Sequence, residues 1–476
     1  MEQDLIAPRI DSRQAKLAGR AAEQIVADVI ELGWPVGHVL GSEAELLERY
    51  GVSRAVLREA VRLIEHQHVA RMRRGTGGGL VIDEPNVDAV IGPTVIYLLR
   101  AGATLDELFD TRIILEELVA ELASQRVDEA DIRTVRETLA NESSGNFTDA
   151  RLLHTQLATL TGNPVLQLFV ETFSRVIEFH FKDDAVLPPN VSKEVQHAHA
   201  SIARAILTNN PGMARERMSR HLRAEAEFIA RQPATVQHLD PTAALAGTDG
   251  DKRGEALARQ IFAWVLETEA KPGTFIGSEA ALMAKYRASR AVLREAIRIL
   301  EYQQIALTRR GPGGGLFVTE PDSAALTDII SIYLRRHGVT AEHIHELRSG
   351  LELAVAERAA NAVRDGAVDA SIIEKALATE SEKGLIAAYA HREDFHSMLG
   401  QLSGNRALEL VHRVTMRLGW NFFSQYADAD PQAIERAARA VDPAHRGIAD
   451  ALLAGDSELA VVRMRAHVST TSPPAG

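Results

Sequence analysis

The sequence predicts a mainly α protein in which one two-part unit is written twice. Three observations carry this: helical periodicity along most of the chain, a long internal repeat, and one glycine-punctuated hairpin pattern in each copy. Assembled in order, the expected architecture is two three-helix domains, each with a β-hairpin, alternating with two all-α antiparallel helical bundles. The 476 residues exceed a single ordinary core. The expected segments are a tail at 1–13, a small domain at 14–85, a bundle at 86–231 and a linker at 232–254. A second small domain follows at 255–321, a second bundle at 322–470 and a tail at 471–476.

Hydrophobic residues at 46% and charged residues at 25% are the balance of a soluble globular protein. The chain contains no cysteine, which excludes disulfide scaffolds and thiolate zinc sites and fits a reducing cytoplasm. MEQDLIAPRIDSRQ has no basic start followed by an apolar stretch, so no signal peptide is expected. No run approaches membrane-spanning length, and no membrane partner is expected. A net charge of −12 argues against a generally basic surface but permits a local basic patch.

The repeat is plainest where GSEAELLERYGVSRAVLREAVRLIE (41–65) returns as GSEAALMAKYRASRAVLREAIRILE (277–301), offset by 236 residues. The offset holds at Pro85 and Pro321, and at Arg112 and Arg348. ATLTGNPVL then matches GQLSGNRAL at 242, and His221 matches His467 at 246. Between the copies, QPATVQHLDPTAALAGTDGDKRG is rich in Pro, Gly, Asp and Thr and reads as an exposed linker.

Within each first part, apolar Leu17, Ala21, Ile25 and Val29 recur at helical spacing until Gly33 and Pro35 end the run. Ser42 is placed to cap a second, short helix, with Glu43 and Glu45 in its first turn. That helix ends at Tyr50-Gly51, and Ser53 caps a third helix reaching about Gln67. Two short helices joined by a tight turn are a helix-turn-helix pattern. In the third helix Val56, Ala60 and Ile64 should face the core, while Arg54, Arg58 and Arg62 form a separate stripe. Ser289, Arg290, Arg294 and Arg298 repeat the arrangement. Such a stripe suits a helix lying in a DNA major groove, where arginine pairs with guanine or phosphate. The plainer reading is a solvated stripe balanced by Glu59 and Glu65. Local charge favours the first: segments 41–75 and 277–311 carry seven basic residues each against five and three glutamates, basic islands in an acidic chain.

The stretches RRGTGGGL (73–80) and RRGPGGGL (309–316) follow directly. A phosphate-gripping P-loop needs a strand before it, a helix after it, and Lys-Ser or Lys-Thr at its end. LVIDEP after Gly79 is extended and closed by proline, so the stretch reads as a hairpin wing. Its glycines, Gly77 and Gly313 among them, are expected to let the backbone approach DNA. Arg73, Arg74, Arg309 and Arg310 are expected to meet phosphate or the minor groove.

With these residues in view, GSEAELLERYGVSRAVLREAVRLIEHQHVARMRRGTGGGLVI resembles the winged helix-turn-helix of the GntR family of bacterial transcription regulators, especially its FadR-like branch. The resemblance implies that Arg54, Arg58 and Arg74, with Arg290, Arg294 and Arg310, contact an operator. Where many members carry an arginine in the second helix, this chain has Ala44 and Ala280, which implies one contact fewer. Because both copies contain SRAVLREA, both should read the same half-site, giving a palindrome.

The second parts are helix after helix, in the pattern of antiparallel bundles that build ligand sites from facing side chains. His154, His199 and His221 are mirrored by His396, His445 and His467, each last pair 22 residues apart. A lone helical His is more often a satisfied core or surface residue. A triplet kept in both drifted copies instead suits zinc, nickel or another borderline divalent ion. Here the chain is similar to the FCD effector domain of FadR-like regulators, which implies a metal helping to hold a small carboxylate effector. In that family an Asp one turn before the first His completes the ligand set. This chain has Ala150 and Arg392 there, and Asp149 lies about 140° round the helix. Glu393 could substitute in the second half, giving the second cluster the additional ligand. Arg112 and Arg348 are candidate carboxylate partners, or alternatively ion-pair partners of Glu116 and Glu352. The expected function is a ligand-responsive repressor, not an enzyme. Its two halves would act as an intramolecular pseudo-dimer, or as part of a homodimer. The alternative is a metal-dependent hydrolase using the three-His sites, for which no positioned general base is visible.

Overall fold

The structure is a computed structural model. It describes residues 12–470 apart from 68, 74, 76–77, 85–86, 143–146, 179–187, 232–251, 310, 312, 322, 384–393 and 430. Two compact units result. One holds the residues up to 90 together with 328–338, and the other holds the remainder.

The first unit begins with α1 (Ser12–Glu31), β1 (Val39–Gly41), α2 (Glu43–Tyr50), α3 (Arg54–His66), β2 (Ala70–Arg73) and β3 (Gly79–Ile82). Ser42 starts α2 with a reciprocal cap: Glu45 N–H donates to Ser42 Oγ (3.4 Å) and Ser42 N–H donates to Glu45 Oε2 (2.7 Å). Gly51 ends it in the left-handed conformation (φ 60°), the turn between the two helices. Ile25 and Val29 of α1, Ala60 and Ile64 of α3, and Leu80 and Ile82 of the hairpin close one core. Leu17 stands apart from the expected stripe: it is 42% exposed, and Ala18 is the buried residue in that turn.

The sheet is antiparallel in the order β1-β3-β2. Strand β1 was not expected, being three residues long with a register shift between Val39 and Gly41. It explains one wing glycine: a Cβ on Gly79 would stand 2.5 Å from the Gly41 carbonyl oxygen. Gly79 is therefore required by the strand beside it, a structural need separate from the approach to DNA expected of the wing glycines.

Helix α4 (Asp88–Arg100) carries the chain into the second unit. There α5 (Leu105–Arg126), α6 (Glu129–Asn141), α7 (Phe147–Leu160), α8 (Pro164–Glu178), α9 (Pro189–Leu207) and α10 (Pro211–Ala230) form the first bundle. Next come α11 (Lys252–Glu267), β4 (Phe275–Gly277), α12 (Glu279–Tyr286), α13 (Arg290–Tyr302), β5 (Ala306–Arg309) and β6 (Gly315–Val318). This second winged domain has the same sheet order, and Gly315 repeats the close approach, to Gly277 O. Its turn uses Arg287 at φ 50° in place of glycine. Helix α14 (Ser323–Arg336) leads on to α15 (Ala341–Arg364), α16 (Ser371–Lys383), α17 (Phe395–Leu402), α18 (Arg406–Ala429), α19 (Pro431–Leu453) and α20 (Ser457–Thr470).

Two exchanges tie the halves. Residues 328–338, most of them in α14, belong to the first unit, where Ile332 joins the winged-domain core. Within the second unit, Arg100 at the end of α4 donates to the carbonyls of Gln304 (2.5 Å) and Thr319 at the base of the second winged domain. The two bundles also clasp one another. Asn163 Nδ2 donates to His343 O (2.9 Å), and its counterpart Asn405 Nδ2 donates to Glu107 O (2.9 Å). Each asparagine's Oδ1 accepts backbone N–H groups at the start of its own following helix, so the repeated Gly-Asn is both a cap and a clasp.

Candidate functional site

Each third helix begins at a serine whose Oγ accepts a backbone N–H one turn on: Val56 to Ser53 (3.4 Å) and Val292 to Ser289 (3.3 Å). Val56, Ala60 and Ile64 are buried as expected, and Arg54, Arg58 and Arg62 lie exposed on the opposite side. Among the described residues, surface pairs hold Arg54 to Glu43 (4.0 Å) and Arg62 to Glu59 (3.4 Å). In the second copy Arg290 pairs with Glu279 (2.9 Å), Arg294 approaches the same carboxylate (3.9 Å), and Arg298 pairs with Glu295 (2.7 Å). Exposed pairs of this kind contribute under about 1 kcal/mol each, so phosphates or base edges can displace them. Arg73 and Arg309 close the exposed ends of β2 and β5, with Arg309 lying over the Phe317 ring at 4.3 Å. Gly313 turns at φ 76°. Gly77, Arg74 and Arg310 fall outside the described residues.

The two histidine triplets each converge. In the first bundle α7, α9 and α10 bring His154, His199 and His221 together, all buried. His199 Nε2 is 3.1 Å from His221 Nε2, which is 3.2 Å from His154 Nε2. The opposite ring nitrogens are tied down: His154 Nδ1 meets Glu116, and His199 Nδ1 meets Glu142 (2.5 Å). With Nδ1 donating its proton, the Nε2 atoms of His154 and His199 are bare acceptors, and one proton on His221 cannot serve both. Three nitrogens about 2.0–2.1 Å from a tetrahedral ion stand roughly 3.3–3.4 Å apart, close to this spacing. Carboxylates behind the imidazoles are the usual supporting shell of such a site. Burial pushes the His199 and His221 pKa values below the ordinary histidine range, keeping both neutral as metal ligation requires. Burial alone would raise the Glu116 carboxyl, but Arg112 and His154 outweigh it and bring it down to about 2.

The second bundle repeats the design with His396, His445 and His467. His445 Nε2 and His467 Nε2 lie 3.2 and 3.3 Å from His396 Nε2. Glu352 holds His396 Nδ1 (3.0 Å) and Glu380 holds His445 Nδ1 (2.8 Å). Burial, with His396 and His445 adding to it, pushes His467 down to about 2.

Comparison with known proteins decides what this arrangement belongs to. Residues 107–224 and 343–470, together just over half of the chain, match the FCD domain family. Residues 17–79 and 253–318 match the bacterial regulatory proteins of the gntR family. The chain belongs to the GntR family. It carries the GntR and FCD pair twice in tandem, and these families and the relatives below are transcription regulators, not enzymes. An uncharacterized HTH-type transcriptional regulator of Bacillus subtilis, YcbG, is 26% identical over 47% of this chain and 94% of its own length. The Uxu operon regulator of Haemophilus influenzae is 25% identical over 43% of this chain and 78% of its own. A solved Streptococcus agalactiae GntR covers 44% of this chain and 99% of its own at 21% identity, with a TM-score of 0.33.

All six expected histidines meet in the two FCD domains, and Glu393 falls outside the described residues. Arg112 and Arg348 both make the ion pair given as the plainer alternative, to Glu116 (2.7 Å) and Glu352 (3.0 Å). Arg112 also lines a cavity of about 540 Å³ with His154, His199, His221, Arg151 and Arg220. Sequence reading missed Glu142, Glu225 and Glu380. Glu142 stands 57 residues before His199 and Glu380 stands 65 before His445, with no local pattern linking them.

No described helix is long and apolar enough to cross a membrane.

Proposed function

We propose that this GntR-family regulator reads a palindromic operator as a covalent pseudo-dimer and senses a small carboxylate through its FCD domains. The observation that carries it is the pair of reading helices: capped by serine at the same position, identical over SRAVLREA, and presenting the same exposed arginine stripe. Two equal readers in one chain call for two equal half-sites. The asparagine clasps and the exchanged helices α4 and α14 support mutual dependence of the halves, because each post-wing helix serves the other half's winged domain. The segment boundaries follow the repeat, with a winged domain and a bundle in each half.

For the effector, the first FCD domain offers the cavity beside the triad. His154, His199 and His221 would hold a divalent ion, and when bound the ion supplies positive charge and Lewis acidity toward a carboxylate. Arg112, aimed by Glu116 and Glu225, adds a guanidinium donor at the cavity wall. Effector binding would alter operator affinity only through a preference for one arrangement of the winged domains. A metal-dependent hydrolase has no support here: the carboxylates nearest the triads are committed to imidazoles and arginines, and the matched families are regulatory.

The test is titration of a selected palindrome at physiological salt with two variants, Arg54→Ala/Arg58→Ala and Arg290→Ala/Arg294→Ala. Lost bidentate contacts cost about 1–3 kcal/mol each, so either variant should lose at least about tenfold in affinity while its circular dichroism stays unchanged. Equal affinity in either variant would remove that helix from the groove.

A further inference from the structure

The two histidine clusters share a plan but differ in what their arginine does. In the first, Arg112 is held by two acids, Nε donating to Glu116 (2.7 Å) and Nη1 to Glu225 (3.3 Å), with no hydrogen bond to an imidazole among the described residues. In the second, Arg348 keeps the equivalent bond to Glu352 (3.0 Å), but its Nη2 lies 3.3 Å from His396 Nε2. That is the nitrogen on which His445 and His467 converge. A guanidinium only donates and cannot act as a ligand, and its charge repels a cation.

The sequence accounts for the difference. Glu225, which takes the second Arg112 bond, stands four residues after His221, whereas four residues after His467 stands Thr471. A second, independent change reinforces it. His412 approaches the Glu352 carboxylate at 3.5 Å from a position occupied by Val170 in the first half. It fits because Gly400 replaces Ala158, as a Cβ at 400 would stand 2.9 Å from His412 Nδ1. Glu352 is thus shared among Arg348, His396 and His412.

We propose that the second cluster is a self-filled site in which Arg348 takes the place of a divalent ion, so that each chain binds one ion, in its first half. This rests on the metal reading of the first cluster and reverses the preference expected from Glu393. It makes the chain an asymmetric sensor: one FCD domain takes metal and effector, while the other serves as a closed structural partner.

The test is to strip the full-length protein with a chelator, add back Zn²⁺, and measure bound zinc per chain by elemental analysis and by titration. One equivalent is expected for the wild type, none for His154→Ala or His221→Ala, and one still for His396→Ala. Arg348→Met should admit a second equivalent, as should Arg348→Gln should the first variant fold poorly. Substituting Co²⁺ should give the visible spectrum of a single tetrahedral site in the wild type and twice its intensity in the Arg348 variant. Two equivalents in the wild type, or loss of the single equivalent in His396→Ala, would overturn the self-filled site while leaving the metal reading intact. Zinc bound by none of these proteins would overturn the metal reading itself.

Discussion

Glu142 illustrates how a single side chain sets the chemistry of the first bundle. Its carboxylate accepts a hydrogen bond from His199 Nδ1–H and turns the other ring nitrogen toward the triad. Supporting carboxylates of this kind are worth about 10–100-fold in metal affinity. Glu142→Gln should therefore weaken zinc binding by that factor in competition against a chromophoric chelator, with no loss of melting temperature large enough to explain it. Unchanged affinity would mean that His199 is oriented by packing alone. The histidines were legible in the sequence because the triplet is kept in both halves at similar spacing. Their carboxylate partners Glu142 and Glu380 were not, since each lies far off in sequence and its alignment depends on how the bundle packs. An Asp one turn before His154 would have been a fourth ligand on the near side of the rings. The described residues instead supply acids to the far side of the rings.

At the scale of elements, the helix-turn-helix was readable almost to the residue because its signals are local: serine caps, acidic first turns and an apolar stripe. Strand β1 was invisible, since three residues with a register shift carry no periodicity. Its presence changes what the wing glycines mean. Gly79→Ala should destabilise the first winged domain by about 2 kcal/mol or more, since the new Cβ would sit 2.5 Å from a backbone oxygen. By contrast Gly19, inside α1 with nothing within 4 Å of an added Cβ, should gain about 0.5–1 kcal/mol on substitution by alanine. Thermal unfolding of the two variants against wild type checks both signs. A harmless Gly79→Ala would show that β1 is not closely paired in solution.

Across the whole molecule, the repeat offset made the tandem organisation plain, but not the exchange of helices between halves. Periodicity identifies an apolar face without saying which core it enters, and Ile332 enters the core of the other half's winged domain. The asparagine clasps were likewise hidden, because Gly-Asn reads locally as a helix start. Together these features support the proposed reading of one chain that carries two matching operator readers. Selection of genomic fragments by the purified protein at physiological salt, followed by the mass of the complex on the selected site, puts this reading to the test. One palindrome of two matching half-sites is expected, bound by a single chain, with affinity falling steeply as salt rises. Two chains on that palindrome, or binding that ignores sequence, would contradict it.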